Sequence, residues 1–402
     1  MPATIAPDVR RASVPTARPV VNSATRFTLN GSDALELHLA NFCQNVLAGI
    51  TRIIPAPELA GIALGGGYGR GEGGVLKTPA GDQPYNDLEF YVFVRGHAWL
   101  NERRYGNALH ELSEGLSLSA GVELEFKITS QAKLRRSPQS LFYHDLLMGH
   151  RWLLGDDTLF AGCEHHCDAG TIPLSEATRL LMNRCSGLLF AREKLEQETF
   201  TSDDADFVSR NIAKTELALG DAVLIAFGQY HWSCVERGRR LVGLAATEDL
   251  PSLEEVRQRH AAGVEFKLHP HRTSLSRDAL QKHFREATLL ALEVWLWLES
   301  RRLGCNFRSA ADYALSGVNK WPETGGGRNL LANVRVFGPR AIRLSPRQRH
   351  PRERILNALA LLLWVLAESS HELTRKVRHE LRLPPEPSAI IAAYRYHWSR
   401  AS

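Results

Sequence analysis

An α+β fold, with a small mixed-sheet domain followed by an all-α helical bundle, is what the sequence predicts on three observations. Within residues 26–160, short runs that alternate apolar with polar residues are interleaved with runs of helical periodicity. Beyond "GTIP" at 170–173 the strand patterns stop and long helical periodicities take over. At 402 residues the chain is also too long for one ordinary core, because a domain takes roughly 150 residues. The expected organisation is a disordered tail over 1–25, the mixed-sheet domain over 26–160, and a helical domain over 171–402 that a polar stretch near 245–274 can split.

The elements follow in order. Gly31 to Ile54 carries Leu35, Leu39, Phe42, Val46 and Ile50 at helical spacing, with Ser32 or Asp33 placed to cap the start. "GIALGG" is a short buried strand that runs into the glycine-rich "LGGGYGRGEGG", 64–74. "DLEFYVFV", 87–94, is a second strand, "NERRYGNALHELSEGLSL" a helix, and "VELEFKI", 122–128, a third strand. Past 171, periodic segments cover Ser175 to Leu195, Asp206 to Tyr230, Ser276 to Leu303 and Arg352 to Arg382. A second glycine cluster, "ETGGGRN" at 323–329, reads as a loop between helices.

Composition narrows the class. Hydrophobic residues make up 44% and charged residues 23%, as in soluble globular proteins. The longest apolar run, Ile355 to Ala367, is shorter than the ~20 residues of a membrane span, so it reads as a buried helix and no membrane partner is expected. The tail lacks the apolar core of a secretory signal. Six cysteines without a spaced framework imply reduced thiols and a cytoplasmic setting. A net charge of +5 suits a small polyanionic ligand as well as nucleic acid, and nothing else in the sequence supports the latter. "CEHHC", 163–167, crowds four soft ligands too tightly for an unstrained tetrahedral zinc site.

Side chains of a strand alternate between faces, so Asp87 and Glu89 share one side while Leu88, Phe90, Val92 and Val94 share the other. The same arithmetic puts Glu123, Glu125 and Lys127 opposite Leu124, Phe126 and Ile128. If the two strands are neighbours over one core, three or four carboxylates converge, and their repulsion calls for cations. Mg²⁺ is the expected one, since it takes hard oxygen ligands from one or two carboxylates plus substrate phosphates, and two such ions clamp an in-line displacement. Either strand alone is also what any half-solvated strand looks like; the glycine-rich segment before the first is what changes its context.

That segment satisfies G-x-G-x-x-G at Gly69 to Gly74, yet no helix opens after it, which excludes a dinucleotide fingerprint, and no GK[ST] follows, which excludes a P-loop. "LGGGYGRGEGG" followed by "NDLEFYV" instead resembles the nucleotidyltransferase superfamily related to DNA polymerase β, of the aminoglycoside or minimal type with a helical C-terminal domain. Leu64 or Gly65 with Gly66 and Gly67 matches the family's loop, Tyr68 to Gly71 its basic continuation, and Asp87 with Glu89 its paired acids. The resemblance covers about residues 60–160, including "FYHDLLMGHRWLLGDD", 142–157, as the closing helix and turn. It departs from the family in a longer gap between Gly67 and Asp87, which implies an inserted hairpin around "KTPAGDQP", and in Gly67 where a serine is commoner.

The resemblance implies a magnesium-dependent transfer of a nucleotide from a nucleoside triphosphate to a hydroxyl. Asp87, Glu89 and a third acid, Glu125 in preference to Glu123, would be the catalytic and metal-binding residues, holding two Mg²⁺. Gly66, Gly67, Tyr68, Arg70 and Gly71 would cradle the triphosphate. In the helical part Asn211, Lys214, Ala218 and Asp221 share one helix face, and by the resemblance Lys214 contacts the triphosphate. Asn183 and Arg184 read as hydrogen-bonding groups between helices, the other reading being a polar pair that faces the ligand as Lys214 does. The acceptor hydroxyl is not legible: sugar, antibiotic, protein and RNA end all present one. The other reading is a catalytically inactive nucleotide- or RNA-binding regulatory protein on the same fold.

Overall fold

The computed structural model describes residues 26–245, 250, 252–338, 349–365, 371–383 and 389–401; the expected tail over 1–25 lies outside them. Helix α1 (Asp33–Ile53) begins at Ser32, whose side chain accepts from the Leu35 amide, and it buries the five apolar positions that its periodicity marks. Strand β1 (Leu59–Leu64) leads into α2 (Gly66–Gly69), a single turn built from the glycine-rich segment. The hairpin of β2 (Val75–Thr78) and β3 (Gly81–Pro84) is the insertion that the long gap implies. Strand β4 (Leu88–Val94), α3 (Ala98–Ala120) and β5 (Leu124–Thr129) then make a β-α-β crossover, with β4 and β5 parallel and Glu89 directly opposite Glu125.

The sheet is mixed, in the order β5-β4-β1-β6, with β1 antiparallel to both neighbours. Its fourth strand, β6 (Arg151–Leu154), falls inside what the sequence offers as a closing helix and turn; helix α5 (Leu141–Met148) is there, but the turn after it is a strand. Four residues are too few to show a period.

One face of the sheet is covered by α1 and α3, which pack on Leu88, Phe90, Val92 and Val94. The other is only partly open. Tyr91 and Phe93, on the same face as Glu89, are buried with Leu134 of α4 (Gln131–Arg136), Leu146 and Leu147 of α5, and Phe160. Solvent therefore reaches this face near the start of β4, where Asp87 and Glu89 stand.

Helices follow from α6 (Leu174–Glu196) onward, and α7 (Ser202–Ala226) packs against α6, α8 (Cys234–Gly243), α9 (Leu253–Leu268) and α10 (Arg277–Leu303). The stretch near 245–274 is thus largely a helix in the bundle rather than a break in it. Its small residue Gly263 explains the packing: a Cβ there would lie 2.7 Å from the Leu217 backbone nitrogen, so only glycine lets α9 approach α7 this closely. The glycine cluster at 323–329 is a loop only up to Gly325, where α12 (Gly326–Phe337) starts, after the short α11 (Ala310–Leu315). The segment from Arg352 to Arg382 is two helices among the described residues, α13 (Pro351–Trp364) and α14 (His371–Glu380), with 366–370 outside them; α15 (Ile390–Ala401) comes last. Helix α13 is buried on every side, as its apolar run requires, and no described helix is long and apolar enough to cross a membrane.

Candidate active site

The glycine-rich segment owes most of its glycines to close packing. A Cβ at Gly73 would sit 2.0 Å from the Tyr68 ring, one at Gly65 2.4 Å from the Tyr91 ring, and one at Gly69 2.2 Å from the Leu64 carbonyl oxygen. Gly66 and Gly67 face the cleft described below. Gly66 adopts φ 61°, a left-handed conformation that glycine takes without strain, and this turns the chain beside the Glu89 carboxylate. The Gly65 amide donates to the Glu89 carbonyl at 2.9 Å, so the turn is docked on β4.

Tyr68 is not on the cavity wall, contrary to the sequence-based expectation. It is fully buried, and its hydroxyl clasps the segment: it donates to the Gly74 carbonyl at 2.8 Å and accepts from the Tyr85 and Asn86 amides at 2.8 and 3.4 Å. Asn86 Oδ1 accepts from the Gly74 amide in turn. The clasp fixes the chain just ahead of Asp87. Tyr68→Phe leaves two part-buried amides without their acceptor, and we expect urea unfolding to report a loss of about 1–3 kcal/mol. Gly71 likewise stays off the wall; with φ 80° it bends the chain away after Arg70.

Asp87 is exposed and Glu89 half-buried, both facing a two-lobed cleft between the sheet and the helical part. The smaller lobe, about 220 Å³, is lined by Asp87, Asn86, Tyr85 and Phe266; the larger, about 480 Å³, by Tyr91, Phe142, Asp145, Glu176 and Arg179. Between them lie residues common to both: Gly66, Arg70, Glu89, Arg184, Lys214, Leu217 and Lys267. In the smaller lobe four cations thus face two carboxylates around a glycine turn.

The third acid does not join them. Glu125 is the lateral neighbour of Glu89 on the same sheet face, but Lys127, two residues along β5, takes its carboxylate at 2.9 Å and reaches Glu89 at 3.6 Å. Glu89 also accepts from the Tyr91 hydroxyl at 2.9 Å. Neither Glu125 nor Glu123 lines the cleft, and both are exposed. Among the described residues no group of three or more His, Cys, Asp or Glu side chains is arranged to hold a metal ion. Glu125 thus meets Glu89 only across the ammonium of Lys127, a lysine of the same alternating stripe, and neither it nor Glu123 joins Asp87 on the cleft wall. The same finding covers "CEHHC", where His166 turns to the Leu134 carbonyl at 3.1 Å instead.

The cations come from four separate elements. Arg70, 7% exposed, lies 3.4 Å from Asp145 of α5, and its buried Nε makes no hydrogen bond. Asp145 accepts from the Tyr230 hydroxyl at 3.1 Å, Tyr230 accepts from Arg237 at 2.8 Å, and Arg237 pairs with Asp221 at 2.8 Å. A continuous polar chain therefore runs from the glycine segment into the helical core. Glu72, the acid of that segment, is buried as well: it accepts from the Ser233 hydroxyl and, at 2.8 Å, from the Cys234 amide at the start of α8. Burial works to raise its pKa, but these hydrogen bonds outweigh it and hold the carboxyl below its ordinary value.

Lys214 stands across from Asp87. Solvent still reaches it, yet partial desolvation in the cleft, and then the Arg184 and Arg210 guanidinium groups, push its ammonium down to about 8, against the pull of Asp87. Lys267 of α9 is lowered in the same way, by burial and by Arg70. Of the polar stripe on α7, Lys214, Ala218 and Asp221 line the cleft, whereas Asn211 turns back to the Phe207 carbonyl and packs on Gly187 of α6. Asn183 and Arg184 stand on the cleft wall, the second of the two readings their sequence allows. Sequence reasoning missed Lys267, Arg237, Asp145 and Tyr230. Lys267 has a findable signal, a cation at the end of a helix whose Gly263 marks close packing; the others have none. Neither the protein-family models nor the curated proteins searched contain a match to this chain.

Proposed function

We propose that the chain is a nucleotidyltransferase that moves a nucleoside monophosphate from a nucleoside triphosphate to a hydroxyl. The observation that carries this reading is the placement of Asp87 and Glu89, beside the Gly66–Gly67 turn, against Arg70, Arg184, Lys214 and Lys267. Four cations around a small cavity fit a triphosphate, because charge-assisted hydrogen bonds to phosphate oxygens are about twice as strong as neutral ones.

The donor set fits Mg²⁺: two hard carboxylates on one strand face, with phosphate oxygens and water completing the shell. Asp87 and Glu89 would hold the ion, which supplies neutralisation of phosphate charge when bound. Arg70 and the glycine turn orient the triphosphate from the sheet side, and Lys214, Lys267 and Arg184 from the helical side. The acceptor hydroxyl gives its proton to solvent water as its oxygen bonds to the α-phosphorus; the bond from that phosphorus to the bridging oxygen breaks, and pyrophosphate leaves with the electron pair of that bond toward the cationic wall. The larger lobe, with Phe142, Glu176 and Arg179, is where an acceptor has room.

One observation favours the second reading, a nucleotide- or RNA-binding protein without activity: the Lys127 ammonium stands between Glu89 and Glu125, where the resemblance implies a shared ion. Incubation with each α-labelled nucleoside triphosphate and Mg²⁺, alone and with cell extract, separates the two. Label transfer with pyrophosphate release, abolished by chelation, supports the enzyme. Triphosphate binding without transfer supports the second reading, and absence of both refutes the transferase and the nucleotide-binding protein alike.

The low pKa of Lys214 gives a pH signature. The ammonium is charged below about 8, and a bound triphosphate favours that form, so binding takes up a proton above this value. Triphosphate affinity is therefore expected to fall as pH rises through about 8, measured by calorimetry in buffers of different ionisation enthalpy. Lys214→Arg flattens the profile, and an unchanged profile in that variant removes Lys214 from the site.

A further inference from the structure

Because β4 and β5 are parallel, the chain leaves both at the same end of the sheet, the end away from Asp87 and Glu89. β4 passes through Gly96 into α3 and β5 passes through Ser130 into α4, and an open groove of about 610 Å³ lies between these exits. Its principal lining is His97, Trp99, Leu100, Lys133, Arg136 and Pro138, and no carboxylate lines it. Trp99 is 64% and Leu100 55% exposed, the Arg103 guanidinium lies 4.9 Å from the centre of the Trp99 ring, and Lys133 and Arg136 are exposed. His97 makes no side-chain cap to α3, so the first-turn amides add partial positive charge at the same place.

We propose that this groove binds single-stranded nucleic acid, with a base stacked on Trp99 and flanking phosphates on Lys133 and Arg136. An exposed tryptophan beside cations offers the two contacts that such a strand uses, a flat apolar face for a base and charge for its backbone. A duplex keeps its bases stacked on one another and leaves Trp99 unused. An acidic peptide satisfies the cations but brings no ring that must be covered. Residues 1–25 of the chain carry three arginines against one aspartate, so charge disfavours them as the occupant. The inference does not rest on nucleotide transfer in the cleft.

Fluorescence anisotropy of the full chain with a labelled oligothymidylate of ~10 nucleotides tests it. We expect binding that Trp99→Ala weakens about 10-fold, which is about 1.4 kcal/mol, and that Trp99→Phe largely restores. With Lys133→Gln and Arg136→Gln together, the slope of log affinity against log salt should fall by about 1.4, two single-strand phosphate contacts. All three side chains are exposed, and thermal melts of the variants check that they fold. Lack of binding at low salt overturns the proposal. So does an affinity that none of these substitutions moves, which places the strand elsewhere, or a poly-glutamate peptide that binds as tightly and in a way that depends on Lys133 and Arg136 but not on Trp99, which makes the groove a peptide site.

Discussion

Asp87→Asn is expected to lower the rate of nucleotide transfer by ~10²–10³-fold, the size of effect seen when one group aimed at developing charge is removed. The substitution keeps shape and removes one negative charge. Asp87 is exposed, so its loss should leave stability within about 0.5 kcal/mol, and a fallen rate reports chemistry rather than unfolding. Its charge also supports the Lys214 ammonium across the cleft. Well below pH 8, where Lys214 stays charged in the variant too, triphosphate affinity without Mg²⁺ should hold or rise, because one source of repulsion toward phosphate is gone, while kcat collapses. Single-turnover measurements with labelled triphosphate, paired with equilibrium binding in chelator, separate these effects. A variant as fast as the wild type sinks the transfer reading. Glu89→Gln gives a less clean result, because Glu89 also anchors Tyr91 and Lys127.

Asp221→Leu has the largest expected effect on stability, about 3–5 kcal/mol, because it strands a buried arginine. Asp221 and Arg237 are 9% and 3% exposed at a separation of 2.8 Å, and His260 lies 3.1 Å from the same oxygen, so helices α7, α8 and α9 meet at one carboxylate. Burial acts most strongly, to raise the Asp221 pKa, but the Arg237 guanidinium, the His260 hydrogen bond and Lys267 together outweigh it, so the carboxyl sits below its ordinary value. A carboxyl depressed in the folded state contributes stability that is present above its unfolded pKa of about 3.9 and is lost as pH falls through the lower folded value. The pair should thus be intact at neutral pH and lost only in strong acid. Asp221→Leu combined with Arg237→Met should recover much of the loss in urea melts, since no charge is then buried alone; a double variant worse than the sum of the two refutes the pairing. The single variant should also loosen the cleft, because Arg237 holds Tyr230 and through it Asp145 and Arg70.

How much was legible depended on how local the signal is. The period-two alternation in "DLEFYVFV" placed Leu88, Phe90, Val92 and Val94 in the core under α1 and α3, and put Asp87 and Glu89 on the other face. Alternation could not show that this face closes again at Tyr91 and Phe93, because the residues that close it, Leu134, Leu146 and Phe160, arrive from later elements. Tyr68 looked like part of a loop around a ligand because its neighbours are glycines, yet one glycine of the segment, Gly73, makes room for its ring. Lys127 was visible on the same strand face as Glu125, but which of the neutralising partners reaches a carboxylate is a matter of ångströms.

What the sequence determined by itself is the order of elements, an α+β unit and then helices, and the facing of each amphipathic strand and helix, because periodicity and capping act within a few residues. Which charges share a cleft was decided by tertiary structure: Arg70, Arg184, Lys214 and Lys267 are far apart along the chain, and only the packing of α6, α7 and α9 against the glycine turn brings them together. That Glu125 pairs with Lys127 and stays off the cleft wall was decided in the same way, since a crowded charge takes whichever partner the fold puts nearest.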